Sequence, residues 1–257
     1  MRRDRYGDLV PLTFPSHAAA VLPIKLAAPS RWDGVALVIG STSPDLPYLV
    51  YPYVWFNAHT WLALVWFCVP VTLIGTRIAR WAAPATAAHL PNRGGFALRD
   101  YGVLGQVRHR WYVTVGSAFV GALTHVVWDS FTHARPGRLW SLHPLDRIAV
   151  DGQPWWAVLQ LASTVVGALI AVGFAWYIGR RRLIVAWHGV SPPVPVRPGL
   201  FWAVVAVVVV AGIAPQPVLA GVHLANVLGV RLLVLGAVAL LAATAVTRVT
   251  QRDRVSI

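Results

Sequence analysis

The sequence predicts an all-α protein, a polytopic integral membrane bundle of about six helices. Three observations predict it. Of 257 residues, 57% are hydrophobic and only 12% are charged, against about a quarter charged in ordinary soluble domains. Mean hydropathy is positive, at +0.60. The chain also carries thirteen tryptophans, more than a water-soluble core needs but well suited to anchoring at lipid headgroups.

Apolar runs long enough to cross a bilayer, about 20 residues each, occupy Trp61–Ile78, Trp111–Phe131, Trp155–Ile178, Phe201–Leu219 and Val227–Val246. A sixth, Gly34–Val50, begins apolar but runs into Gly40-Ser41-Thr42-Ser43-Pro44-Asp45. Residues 1–257 read as one transmembrane domain. Its motif-bearing part is 12–180, and two apolar C-terminal spans occupy 200–247. Pro11, Pro15 and Pro23 interrupt what would be the apolar stretch of a cleavable signal.

Arginine placement sets the expected topology. The N-terminus, the 77–110 and 180–197 loops and the tail are Arg-rich, whereas 51–60 and 220–226 carry none. With six crossings, this alternation puts both termini and all the basic loops in the cytoplasm, as for a multi-pass protein of a bacterial cytoplasmic membrane. The net charge of +13 is thereby a topology signal. A nucleic-acid partner would want the basic residues gathered on one folded face; here they are dealt out between spans. Membrane lipid is the expected partner.

The polar inventory narrows the chemistry. All nine acidic residues are Asp, so no mechanism can use a Glu base or Glu ligand. Lys25 is the single lysine among twenty-one Arg, and Cys68 is the single cysteine, which excludes an internal disulfide and a Cys-rich zinc site. No phosphate loop, nucleophile elbow or nucleotide fingerprint is present.

The strongest motif is Thr124-His125-Val126-Val127-Trp128-Asp129-Ser130-Phe131-Thr132-His133. His125, Asp129 and His133 recur every four residues and share one helical face. Ionisable groups inside a membrane are costly and mark a site or a buried partner. His125 and His133 lie roughly 12 Å apart along the axis, too far to share one ion. Asp129 can join either neighbour, and could bridge two ions. Imidazole with carboxylate suits zinc, manganese or iron. Two readings of the triplet stand side by side: metal ligands, or a polar staple hydrogen-bonding across the bundle.

Three further positions could complete a site. His17 follows a plausible helix start with Ser16 as N-cap, where the helix's positive end favours the neutral, ligating imidazole. Asp45 lies in a Gly- and Pro-broken segment that aims a carboxylate at a fixed point; its plain alternative is a turn or cap residue. His59 opens the second span, with an interfacial histidine as its plain alternative. In the six-span topology Asp45, His59 and His133 share the non-cytoplasmic side. His17 fits only if residues 14–50 form a re-entrant hairpin. His89, His109 and His188 are expected to be solvated; His143 is a candidate substrate contact. Ser117 with Gly121, and Gly167 with Ala171, offer small-residue packing faces.

At Phe14–Pro23, Gly40–Tyr48, His59-Thr60 and Gly121–His133 the sequence resembles a bacterial family of multi-spanning membrane proteins known as domain of unknown function 4184, over roughly residues 12–180. More remotely it resembles membrane-bound metal-dependent hydrolases and the His-and-Asp motifs of zinc-dependent phospholipase C. That resemblance implies His17, Asp45, His59, His125 and Asp129 as ligands of a divalent metal, zinc first, with His133 added. The chain departs from such sites in having no Glu and no second His close to His59.

The expected function is a membrane-embedded metal-dependent hydrolase acting on a phosphoester or lipid-linked substrate. Asp129 would ligate and bridge; Asp45 would be a second carboxylate ligand or the base. The alternative is a non-enzymatic scaffold or small transporter whose His/Asp network is structural or carries protons.

Overall fold

In a computed structural model, residues 14–133, 143–150 and 152–255 are described; the side chains of Phe14, Pro15, His143 and residues 251–255 fall outside that description. Apart from one small antiparallel pair, Ile148–Val150 with Gln153–Pro154, the regular elements of the described chain are helices. In chain order the helices are α1 (Phe14–Ala27), α2 (Gly34–Gly40), α3 (Trp61–His89), α4 (Trp111–Thr132), α5 (Trp155–Arg180), α6 (Leu183–His188), α7 (Pro198–Ile213) and α8 (Ala225–Val255). Five segments are long and apolar enough to cross a membrane: Trp61–His89, Trp111–Thr132, Trp155–Arg180, Pro198–Val218 and Ala225–Thr250.

The expected crossing at Gly34–Val50 is not a continuous helix. Helix α2 stops at Gly40, and Ser43–Val50 follows as tight 3-10 turns. The cause is local: Pro44 and Pro47 withhold backbone N–H groups, and Ser41, Thr42 and Ser43 turn their hydroxyls back onto the carbonyls of Val38, Ile39 and Gly40 at 2.9, 2.9 and 2.8 Å. Helix α1, with 14 residues, reaches only about 21 Å and is also too short to span. Residues 14–50 therefore form a helical hairpin.

The chain divides into two compact units, Met1–Thr76 with His109–Phe174 and Leu224–Asn226, and Arg77–Arg108 with Ala175–His223 and Val227–Ile257.

The first unit is organised on α4. Asp33 caps α2, accepting from the Ala36 amide at 3.3 Å and from the Thr114 hydroxyl at 2.9 Å, while its own amide donates to Ser117 Oγ at 2.9 Å. Lys25 closes the α1–α2 turn by donating to the carbonyls of Pro29 and Trp32 at 2.6 and 2.8 Å. Farther along, α2 and α4 meet backbone to backbone at Gly40 and Gly121. A Cβ on Gly40 would stand 2.5 Å from the Ala118 carbonyl oxygen, and one on Gly121 would collide with that of Leu37. Gly167 of α5 seats Ser16 of α1 in the same manner. The small-residue faces expected at Ser117/Gly121 and at Gly167 are thus helix contacts. Leu64 and Cys68 pack on Ala122 and Val126 as an apolar core, and α3 loosens over Leu64–Cys68 into a π-helical turn.

In the second unit, Arg182 grips the buried Asp100 through Nε and Nη2 at 2.5 and 2.8 Å. His89 is buried here and not solvated as expected: its Nδ1 donates to the Ala85 carbonyl at 2.7 Å, its Nε2 accepts from the Arg197 amide at 2.9 Å, and its ring stacks on Phe201. With both nitrogens satisfied inside the fold, it is a structural residue.

Candidate metal centre

The hairpin and two long helices of the first unit deliver the site. His17 sits in the first turns of α1. That helix starts at Phe14, so Ser16 lies inside it and is not the cap. Asp45 stands in the 3-10 turns after α2. His59 immediately precedes α3, its amide held by Asn57 Oδ1 at 2.9 Å. His125 and Asp129 face inward from the last turns of α4, and His133 is its C-terminal capping position. Because α1 and α2 run antiparallel, the start of one and the end of the other meet the same end of α4.

Asp129 is the hub, and its two oxygens serve different partners. Oδ2 lies 3.2 Å from His59 Nε2 and 3.1 Å from His125 Nε2. Asp45 Oδ1 faces the same two nitrogens at 3.4 and 3.5 Å. Oδ1 of Asp129 looks the other way, toward His17 Nε2 at 3.5 Å and His133 Nδ1 at 3.3 Å. One donor atom each from Asp45, His59, His125 and Asp129 lies within 4.8 Å of all the others, a group that could hold a metal ion. All six expected residues are therefore brought together, and the hairpin explains how His17 joins them.

Burial and hydrogen bonding bear on the choice between a ligand set and a staple. His17 and His125 have fully buried rings, stacked at 3.7 Å between centroids. His125 Nδ1 lies 2.7 Å from the Ser41 carbonyl oxygen. That oxygen can only accept, so Nδ1 carries the proton, and in its neutral form the imidazole presents a lone pair at Nε2. Yet His125 Nε2, both ring nitrogens of His17 and Asp129 Oδ1 lack any hydrogen-bond partner. Buried polar atoms in native proteins are rarely left so. A cation among these lone pairs would satisfy them together, as would protons on the imidazoles facing Asp45 and Asp129. Burial lowers the His17 pKa from 6.5 to about 3, so His17 is neutral and able to ligate.

Two contributors escaped the sequence reading. The Ser41 carbonyl orients His125 but, being main chain, leaves no signal beyond the helix break around it. Gln160 of α5, itself buried, places its side-chain amide 3.2 Å from His133 Nε2. It could have been found as a carboxamide in an otherwise apolar span, one turn before Ser163, whose hydroxyl accepts from Trp128 Nε1 at 2.8 Å. His143 opens a short 3-10 turn; its side chain lies outside the described residues, so the substrate contact expected of it does too.

A helical protein with membrane-length spans and a buried His/Asp cluster is the class defined by this geometry. Over residues 10–250 the chain matches the family described as domain of unknown function DUF4184, and it belongs to that family. No curated protein and no solved structure matches it.

Proposed function

We propose that this protein is a membrane-embedded, metal-dependent hydrolase whose His/Asp centre cleaves a phosphoester or lipid-linked substrate at the non-cytoplasmic face of a bacterial cytoplasmic membrane. The observation that carries the reading is the convergence of Asp45, His59 and His125 on Asp129, one donor atom from each lying within 4.8 Å of the others, with His125 Nε2, both His17 nitrogens and Asp129 Oδ1 outside hydrogen-bond geometry. A staple would align such contacts as hydrogen bonds; a metal centre leaves them for the ion.

Asp45, His59, His125 and Asp129 would hold the ion, with zinc the best match to two imidazoles and two carboxylates. Bound metal supplies a water acidified towards pH 7 and polarisation of the ester oxygen. The chain's own part is orientation and exclusion of bulk water. Ser41 fixes the His125 tautomer. Asp45, whose side chain is 13% exposed against 5% for Asp129, is the carboxylate open to an arriving substrate and the candidate base. The remote resemblance to hydrolases points the same way.

The setting favours an amphiphilic substrate. The segment leading to His59 and the start of α3 expose Tyr53, Val54, Trp55, Trp61 and Leu62, an aromatic and apolar collar of the kind that sits at headgroups. With five crossings beginning at Trp61, chain order puts His59 and His133 at one membrane face and the Arg-rich 77–110 and 180–197 segments at the other, which the positive-inside rule makes cytoplasmic. The count revises the six-crossing topology: residues 14–50 then enter from the non-cytoplasmic side as a re-entrant hairpin, its Asp33 turn reaching the Thr114 end of α4.

The test is metal content. Purified in detergent, the wild type should hold near-stoichiometric zinc, manganese or iron by elemental analysis, and Asp129→Ala should lose it. A wild type without metal would overturn the proposal.

A further inference from the structure

The two oxygens of Asp129 are not equivalent, and one metal ion accounts for only one of them. Around Oδ2 gather His59, His125 and, through the same nitrogens, Asp45. Around Oδ1 stand His17 Nε2 and His133 Nδ1, with Oδ1 and both His17 nitrogens lacking hydrogen-bond partners. An ion on the first side leaves the second side's buried donors as they were.

We infer that Asp129 is a bridging carboxylate and that a second divalent cation binds between its Oδ1, His17 Nε2 and His133 Nδ1. The inference rests on the metal-centre reading above and extends it from one ion to two.

Three protein donors with a remaining open position are the pattern of a catalytic rather than a structural metal, and the side chain of His133, 32% exposed, leaves this flank open to solvent. The helix period supports the division: His125 and His133, each four residues from Asp129, approach it from opposite directions along the axis and reach opposite oxygens. Gln160 completes the flank. A half-turn of its amide exchanges nitrogen and oxygen in place. The oxygen then accepts from His133 Nε2–H, as carbonyl partners of ligating histidines commonly do; at Nδ1 the ion takes the place of the Thr132 hydroxyl, now 3.1 Å away, which keeps its bond to the Trp128 carbonyl at 3.2 Å. Gln160 is thus a positioning residue.

The charge balance names a substrate class. Two divalent cations against the carboxylates of Asp45 and Asp129 leave the centre positive, which favours an anionic phosphoester over a neutral carboxylic ester. Paired ions of this kind clamp the attacking and leaving oxygens of a phosphoryl displacement.

The experiment uses full-length protein in detergent, loaded with Zn(II) for stoichiometry and separately with Mn(II) for electron paramagnetic resonance. Wild type should bind two zinc ions per chain and give the exchange-coupled spectrum of a manganese pair. His17→Ala and His133→Ala should each bind one ion and give the spectrum of isolated manganese. The partly exposed His133 keeps the test valid if the buried His17 variant does not fold. Gln160→Ala should weaken the second zinc by about 10–100-fold and leave the first unchanged. One zinc in the wild type, retained by His133→Ala, would overturn the second position while the first centre stands. Two zinc ions persisting in both histidine variants would overturn it as well. No zinc in the wild type would remove the first centre and this one together.

Discussion

His125 Nδ1 and the Ser41 carbonyl oxygen, 2.7 Å apart, join the C-terminal part of a membrane-length helix to the broken end of a seven-residue one. The contact exists because α2 ends where it does. Had Gly40–Val50 continued as helix, the Ser41 carbonyl would have been used within it, and His125 would have lost the acceptor that fixes its tautomer. Helix-breaking chemistry in one segment thereby sets the tautomer of a histidine in another.

The close approach behind that contact depends on Gly121, and substitution there should be severe. Gly121→Val would drive a side chain into the Leu37 carbonyl and the Ser41 amide, costing about 1–3 kcal/mol by overpacking and lowering metal content with it. Gly116→Ala, where nothing lies within 4 Å, should change neither. Thermal unfolding in detergent, paired with elemental analysis, reads both effects.

The Asp100–Arg182 pair belongs to the other unit and should be separable from the metal. Arg182→Ala leaves a buried carboxylate without its bidentate partner and should cost on the order of 1 kcal/mol, because Arg182 itself is largely exposed. Arg182→Lys should recover only part of this, lacking the planar fork. Metal stoichiometry should be unchanged in both variants; a loss of metal would contradict the assignment of these residues to separate structural roles.

Topology can be checked with thiol reagents, since native Cys68 is buried and should give little background. A cysteine replacing the exposed Tyr53 should react with a membrane-impermeant reagent from the non-cytoplasmic side of intact cells. One replacing the exposed Arg93 should react only after the membrane is opened. The reverse pattern would invert the orientation and put the centre in the cytoplasm.

Chelation should act locally. With the ion removed, amides of α1 and α2 should exchange hydrogen faster, because their hold on α4 includes the ligands. Amides of α7 should keep their protection, since that helix supplies no ligand. Equal change in both helices would mean the metal supports the whole fold rather than the site.

Much of this arrangement was legible in the sequence. Hydropathy alone locates the five long helices, because lipid imposes a length and a composition on each. The four-residue spacing of His125, Asp129 and His133 places them on one face because the helix there is regular. Legibility ended where the backbone stopped being regular. Gly34–Val50 was apolar enough to resemble a crossing, and only the competition between Ser/Thr hydroxyls and the helix ladder, with two prolines, decides otherwise. The sequence leaves residues 14–50 open between a crossing and a re-entrant hairpin, and the hairpin is what admits His17 to the site. His89 went wrong for a related reason: a histidine in a basic loop reads as solvated unless the Phe201 ring and the Arg197 amide, more than a hundred residues away, are known to meet it. The pairing of particular carboxylate oxygens with particular histidines has no sequence signature, because it is set by how four segments settle around one side chain.

The shortness of α1 and α2 has a consequence for how the protein is built in the cell. Spans of twenty or more apolar residues are held by the bilayer itself, so the helices from Trp61 onward have their own hold on the membrane. The hairpin has no such anchorage; it is kept in place by the Gly40–Gly121 seat, the Asp33 cap and the ligands it contributes. Because metal binding and ordering of the ligands are a single equilibrium, the ion would act as a latch closed after insertion. In a cell starved of that metal the protein would accumulate correctly inserted but with its front hairpin unlatched, and restoring the ion would complete it without new synthesis.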